Sequence, residues 1–234
     1  MITDGLNPFN LLLFVGFVLG SGAAALLFIY SLLLKRIDAA TLIAKLALAG
    51  VGVYGALFLA ASVTSKDRVL AKYQEKHICE VDCHLAYAVL GVARTKTLGA
   101  GPEQRTAQGT FYVVSVRARF DSFTISRRRA RDLPLSPNRR TVALVDAQGR
   151  RFGLSRAGQR AIPAAAGEVL PLTRVLLPGE AYTAQLVFDV PEDARDVRLV
   201  LEAAGPQALI IGHEKSLLHG KTTFRLEPRA ATPG

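Results

Sequence analysis

The sequence predicts two N-terminal transmembrane α-helices followed by an all-β antiparallel sandwich. Three observations carry that expectation. Two long runs before residue 64 are almost free of charge, a two-residue alternation replaces helical spacing after His77, and turn residues cut the remainder into short strands.

The first run, Leu11 to Leu34, is 24 residues without a charge. At about 1.5 Å per residue it reaches ~36 Å, enough to cross a hydrocarbon core of roughly 30 Å with some tilt. The second run, Leu46 to Val63, extends back to Ala39 behind a helix cap at Asp38, with Lys45 snorkelling to the headgroups. Across residues 1–63 the only charges are Asp4, Lys35, Arg36, Asp38 and Lys45, although the chain as a whole carries a net +10. The first run lacks a basic n-region and exceeds the apolar core of a secretory signal, which argues against a cleaved leader. Gly16, Gly20 and Ala24 fall on one face of the first helix. The second is rich in glycine and alanine, so close helix–helix packing is expected, within the hairpin or in a homodimer.

Lys35-Arg36, directly after the first helix, favours an outside N-terminus and an inside connection. Lys66, Arg68, Lys72 and Lys76 after the second helix pull the other way. The first helix usually dominates, which places the following domain outside the cytoplasm of a bacterium, on a multi-pass inner-membrane anchor. The expected organisation is a two-helix anchor over 1–64, a juxtamembrane basic helix or linker over 65–77, a β-sandwich over 78–227 and a disordered tail over 228–234. Lys66, Arg68, Lys72 and Lys76 are expected to rest on anionic headgroups, the last three at helical spacing.

Within the β-region, Leu85, Tyr87, Val89 and Val92 mark one strand. Phe111–Phe120 marks another, with Tyr112, Val114, Val116, Ala118 and Phe120 as its apolar side and Ser115, Arg117 and Arg119 opposite. Thr141–Val145 and Arg151–Leu154 flank the turn Asp146-Ala-Gln-Gly149, a hairpin signature. Leu177-Pro-Gly-Glu180 turns into Ala181–Val190, and Val197–Glu202, Leu209–Ile211 and Thr222–Leu226 complete the strands. Thr97–Gln108 and Ser126–Arg140 read as long loops.

The order of long strand Gly109–Phe120, hairpin at Asp146–Gly149, the Leu177-Pro-Gly-Glu180 turn and Leu186-Val-Phe-Asp-Val-Pro191 resembles the telokin-like, immunoglobulin-fold domain of bacterial extracytoplasmic proteins. The resembling stretch runs over roughly residues 109–202. It implies an Ig-like sandwich and an extracytoplasmic location, and no mechanism.

His77-Ile-Cys79-Glu-Val-Asp-Cys83-His84 holds both cysteines and two of the four histidines. Four readings compete for it. A Cys79–Cys83 disulfide suits an oxidising compartment, but four residues of extended strand span about 13 Å, so bonding requires a turn and a strand that begins after Cys83. Two buried thiols would suit a reducing one. Covalent haem would use Cys79, Cys83 and His84, in a spacing one residue longer than the usual C-x-x-C-H, with His77, His213 or His219 as second axial ligand. Zinc or another metal would be held by His77, Cys79, Cys83 and His84. His213 and His219 otherwise read as solvated loop residues.

No nucleophile elbow, phosphate loop or carboxylate pair is present, so no catalytic residue is assigned and an enzyme is not expected. Arg127, Arg128, Arg129, Arg131, Arg139 and Arg140 form a basic loop suited to anionic headgroups, surface polysaccharide or an acidic partner. Nucleic acid is not an expected partner outside the cytoplasm. The leading expectation is a non-enzymatic, membrane-anchored binding or scaffolding module without a cofactor. The alternatives are a membrane-bound c-type cytochrome or metal-redox subunit, and an accessory subunit of a larger membrane complex built on another membrane protein.

Overall fold

The computed structural model describes residues 2–5, 8–79, 84–122, 132–162, 172–204 and 207–226; the side chains before Phe9 and that of Cys79 fall outside this description. The chain forms two compact units. One contains Met1–Gly5, Asp67–Gly205 and Thr222–Gly234, and the other Leu6–Lys66 with Pro206–Lys221.

The second unit is built on α1 (Pro8–Leu33) and α2 (Ile37–Thr64). Pro8 suits the first position of α1, where its missing N–H costs nothing. At the other end the Arg36 amide bonds the Ser31 carbonyl and the Lys35 amide that of Leu32, with Lys35 at φ +57°. This is a Schellman closure with lysine where glycine is usual. Asp38 lies within the first turn of α2 rather than capping it, and its carboxylate suits the positive helix end. Both helices are long and apolar enough to cross a membrane. Leu12, Leu19, Leu26 and Leu33, at seven-residue spacing along α1, are 69%, 68%, 71% and 76% exposed.

The first unit is β-rich. One sheet has the order β1 (Ile2–Gly5), β3 (Lys76–Cys79), β4 (Leu85–Leu98), β5 (Arg105–Phe120), β8 (Ala181–Val190). The other runs β2 (Arg68–Leu70), β10 (Thr222–Arg225), β9 (Arg198–Ala203), β6 (Arg140–Val145), β7 (Arg151–Phe152). Pairing is antiparallel except where β1 meets β3 and β2 meets β10. Alternate residues of both sheets share one core. Tyr112, Val114, Val116, Ala118 and Phe120 of β5 and Phe188 of β8 meet Leu144 of β6, Leu199 and Leu201 of β9 and Phe224 of β10. Burying each large apolar side chain contributes about 1.5–3 kcal/mol.

On the far side of β5 and β8, Phe111, Ala107 and Val187 form a smaller cluster. The short helix α3 (Arg156–Arg160) covers it. Ser155 caps that helix by accepting from the Gly158 amide, and Gln159 bonds β8 twice, donating to the Gln185 carbonyl and accepting from the Val187 amide. Gly158 is required there: a Cβ would stand 2.5 Å from Val187 Cγ1.

The predicted hairpin forms, with Leu144 opposite Phe152 and Val145 opposite Arg151. Asp146 Oδ1 accepts from the amides of Gln148 and Arg150, and Gly149 supplies φ +79°. The turn at Leu177–Glu180 also forms, with Gly179 at φ +87°.

Three expectations are corrected. Thr97–Gln108 is not a loop: β4 and β5 continue pairing through Leu98 and Arg105, leaving only a tight tip. Residues 65–77 hold no helix, because Arg68–Leu70 pairs in parallel with β10. Leu209–Ile211 is not a strand but part of a turned segment grouped with α1 and α2. The tail expected over 228–234 lies outside the described residues.

Candidate functional site

Strand β3 sends its side chains to two sides of its sheet. Lys76 and Ile78 enter the inter-sheet core, whereas His77 takes the opposite face. Lys76, expected at the membrane surface, is instead fully buried. Its Nζ donates to the carbonyls of Leu201 at 2.8 Å and Thr222 at 3.2 Å, supplying the polar partners that a buried ammonium requires. Register sets Lys76 opposite Tyr87, Tyr87 opposite Ala118, and Ala118 opposite Tyr182, one row across four strands.

Arginines of other segments close over the two phenols. Arg140 Nε donates to the Tyr87 hydroxyl at 3.1 Å, and its guanidinium lies 5.5 Å from that ring's centre. Arg174 stands 5.5 Å over Tyr182. Burial pushes the Tyr182 hydroxyl up to about 12, with Tyr87 adding to the rise and Arg174 and Arg140 opposing it. Arg140 is thus committed to this row rather than to the basic surface assigned to it.

The opposite face of β3 carries a charge-balanced network. Glu75 accepts from Arg117 Nη2 at 2.9 Å and from Arg119 at 3.0 and 2.7 Å, the latter a two-pronged pair. Arg119 also reaches Asp121 at 3.3 Å, and Asp121 Oδ2 lies 3.3 Å from His77 Nε2. The Arg119 hydrogen bond holds Glu75 below the usual carboxylate range against the opposing effect of burial, and the same bond raises Arg119. His77 and Asp121 are buried. The arrangement is a relay of hydrogen-bonded charges ending on an imidazole.

His84 is buried beside Phe120, the ring centres 5.5 Å apart, while its carbonyl accepts from the Asp121 amide at 2.7 Å. The His77 ring thus meets the Asp121 carboxylate, whereas the His84 ring lies against Phe120. Among the described residues no group of three His, Cys, Asp or Glu side chains is placed to hold a metal. Cys83 and the Cys79 side chain lie outside those residues, and with them the disulfide, haem and zinc readings. The backbone of Cys79 ends β3, and β4, from Leu85, pairs with it antiparallel.

Among the other assigned residues, Lys66, Arg68 and Lys72 are exposed, with the Lys72 ammonium 4.9 Å from the Tyr73 ring centre. Arg139 is exposed, and Arg127, Arg128, Arg129 and Arg131 lie outside the described residues. Gly16, Gly20 and Ala24 line a cleft of about 410 Å³ together with Ala47 and Gly50 of α2. A Cβ on Gly16 or Gly20 would meet nothing within 4 Å, so this face is open rather than tightly packed. Phe17 of α1 stacks on Tyr54 of α2, ring centres 4.2 Å apart. His213, expected to be solvated, is buried, its Nδ1 accepting from the Lys215 amide; His219 is half-buried.

Sequence reasoning missed the row of Tyr87, Tyr182, Arg140 and Arg174, and the partners of Glu75. The alternation of Arg117 and Arg119 on one face of β5 was the available signal for the latter.

No family model and no curated protein matches the chain. Three solved structures resemble it. A conserved hypothetical protein from Bacillus anthracis is 15% identical, with a TM-score of 0.41 over 56% of this chain and 87% of its own. The secreted protein MPT63 from Mycobacterium tuberculosis is 12% identical, with a TM-score of 0.41 over 69% and 99%. The yjhA protein from Bacillus subtilis is 13% identical, with a TM-score of 0.40 over 67% and 99%.

Proposed function

We propose that this chain is a non-enzymatic, membrane-anchored module that displays a basic, Ig-like sandwich of telokin-like type outside the cytoplasm of a bacterium. The observation that carries the reading is the leucine stripe of α1. A soluble protein rarely leaves apolar surface of that extent in water, whereas a bilayer covers it without cost. The helix pair returns the chain to the side from which it left, in keeping with β1 pairing with β3 beyond both helices. Lys35 and Arg36 in the connection favour the cytoplasm for that end of the hairpin. The sandwich then meets an oxidising compartment, in which Cys79 and Cys83 form a disulfide. The net charge of +10 suits an acidic macromolecular partner.

Alkaline carbonate washing of membranes, followed by protease treatment of intact spheroplasts, tests both halves. The protein should stay in the pellet and lose its sandwich to external protease. Release by carbonate would refute the anchor, and digestion only after lysis would refute the orientation.

The open cleft between α1 and α2 favours a second reading, an accessory subunit whose small-residue face takes a helix of another membrane protein. Extraction in mild detergent yielding only monomers would dismiss it.

A further inference from the structure

The segment between β9 and β10 exposes three leucines while it buries polar side chains. Ile210 and Ile211 are buried in the ordinary way, but Leu209, Leu217 and Leu218 are 57%, 58% and 74% exposed while His213, Glu214 and Ser216 are buried. Water selects the reverse distribution. The same segment belongs to the unit of α1 and α2 rather than to the sheets. It meets α2 at two points: the Gly220 amide donates to Ser65 Oγ at 2.6 Å, and the Tyr54 hydroxyl donates to the Leu209 carbonyl at 2.7 Å. Eleven residues of helix separate Tyr54 from Ser65, which is about 16 Å along the axis. From Leu209 to Gly220 the segment therefore runs along α2 toward its C-terminal end.

Part of its main chain is also bonded internally. The amides of Ile210, His213, Ser216, Leu217 and His219 bond carbonyls of the segment itself, and Ser216 Oγ donates to the Ile210 carbonyl. Irregular backbone at membrane depth is tolerated only where such groups are satisfied internally or by protein.

We propose that the 207–221 segment is a third membrane-contacting element, a self-bonded loop that inserts Leu209, Leu217 and Leu218 among the acyl chains of the leaflet at the C-terminal end of α2. This rests on the reading of α1 and α2 as membrane spans. The occupant is lipid because the exposed leucines belong to the same compact unit as the exposed apolar residues of α1 and α2. Helix α2 measures about 42 Å against a hydrocarbon core of roughly 30 Å, so Tyr54 lies within that core when the span is centred.

The chain contains no tryptophan, so a single introduced indole reports its own depth. Leu218→Trp, and separately Leu217→Trp, would be reconstituted as full chain into vesicles containing phosphatidylcholine brominated at defined acyl positions. Leu26→Trp in α1 and Gln148→Trp in the β6–β7 turn serve as references. Emission from both loop variants should fall at least twofold with shallow bromines, Leu26→Trp should be quenched by deep ones, and Gln148→Trp by neither. Loop variants as unquenched as Gln148→Trp, with Leu26→Trp quenched, would overturn the inference and leave the spans standing. An unquenched Leu26→Trp would overturn the spans and the inference together.

Discussion

The hydroxyl of Tyr54 donates a 2.7 Å hydrogen bond to the carbonyl of Leu209, 155 residues further along the chain. Its ring is stacked on Phe17, so one side chain ties both helices to the segment that follows β9. Tyr54→Phe keeps the stack and removes the donor, weakening that tie by about 1 kcal/mol. Hydrogen exchange of the full chain in detergent should show faster exchange of the 207–221 amides, with the sheet amides unchanged. Equal protection in both proteins would show that the bond contributes nothing.

Lys76 combines a buried charge with two carbonyl partners. Lys76→Ala leaves both the space and the acceptors behind, and should lower unfolding free energy by about 2–4 kcal/mol. Lys76→Met retains most of the volume without an ammonium to desolvate, so its loss should stay below about 1.5 kcal/mol. Guanidinium unfolding of the detergent-solubilised chain, followed by sheet circular dichroism, separates the two. Equal losses would assign the effect to the hydrogen bonds rather than to packing.

Glu75 gives the fold an acid limit. Its folded pKa lies below the unfolded value of roughly 4.3, chiefly through the hydrogen bond from Arg119. The stabilisation is therefore complete above that value and is lost as pH falls through the folded pKa. Glu75→Gln should cost about 1 kcal/mol at pH 7 and flatten the stability profile below pH ~4. A mutant profile parallel to the wild type would exclude Glu75 as the source.

Gly109 stands where no other residue fits. A Cβ there would lie 2.0 Å from the Val190 carbonyl oxygen, and the amides of Gln108 and Gly109 are both held by the Asp189 carboxylate. Gly109→Ala must separate β5 from β8 and should destabilise by about 2 kcal/mol or more. A melting temperature within a degree of wild type would contradict this.

Intact-mass analysis after alkylation reads the proposed Cys79–Cys83 bond. Protein from a bacterial envelope should take up alkylating agent at both cysteines only after reduction. Uptake without reductant would identify free thiols and weigh against the extracytoplasmic location as well.

Local periodicity made the helices and β5 legible. The apolar side of β5, Tyr112 to Phe120, is buried as alternation predicts, and the Asp146–Gly149 turn forms because its side chain and glycine specify it locally. Lys76 was misread because its spacing from Arg68 and Lys72 fits a helix face, while the carbonyls that receive it come from residues 201 and 222. Leu209–Ile211 looked like a strand because an apolar triplet does not state which surface it meets. Strand β1 was invisible: Ile2-Thr-Asp-Gly5 is short and weak in β-propensity, and its partner is more than seventy residues away. Half of the β3 network could be seen in Arg117 and Arg119; Glu75, which joins them, lies on another segment.

The parallel pairing of Ile2–Gly5 with Lys76–Cys79 also orders biogenesis. Synthesis delivers the first strand long before its partner, and both helices emerge in between. If α1 and α2 span a bilayer as proposed, that sheet edge is completed only when the hairpin has crossed it twice and brought the two ends to one side. On that reading, a chain in which one helix fails to insert would leave Ile2–Gly5 across the membrane from β3, and the sheet edge unpaired. On the proposed reading, the four-residue strand would link insertion of the anchor to closure of the fold.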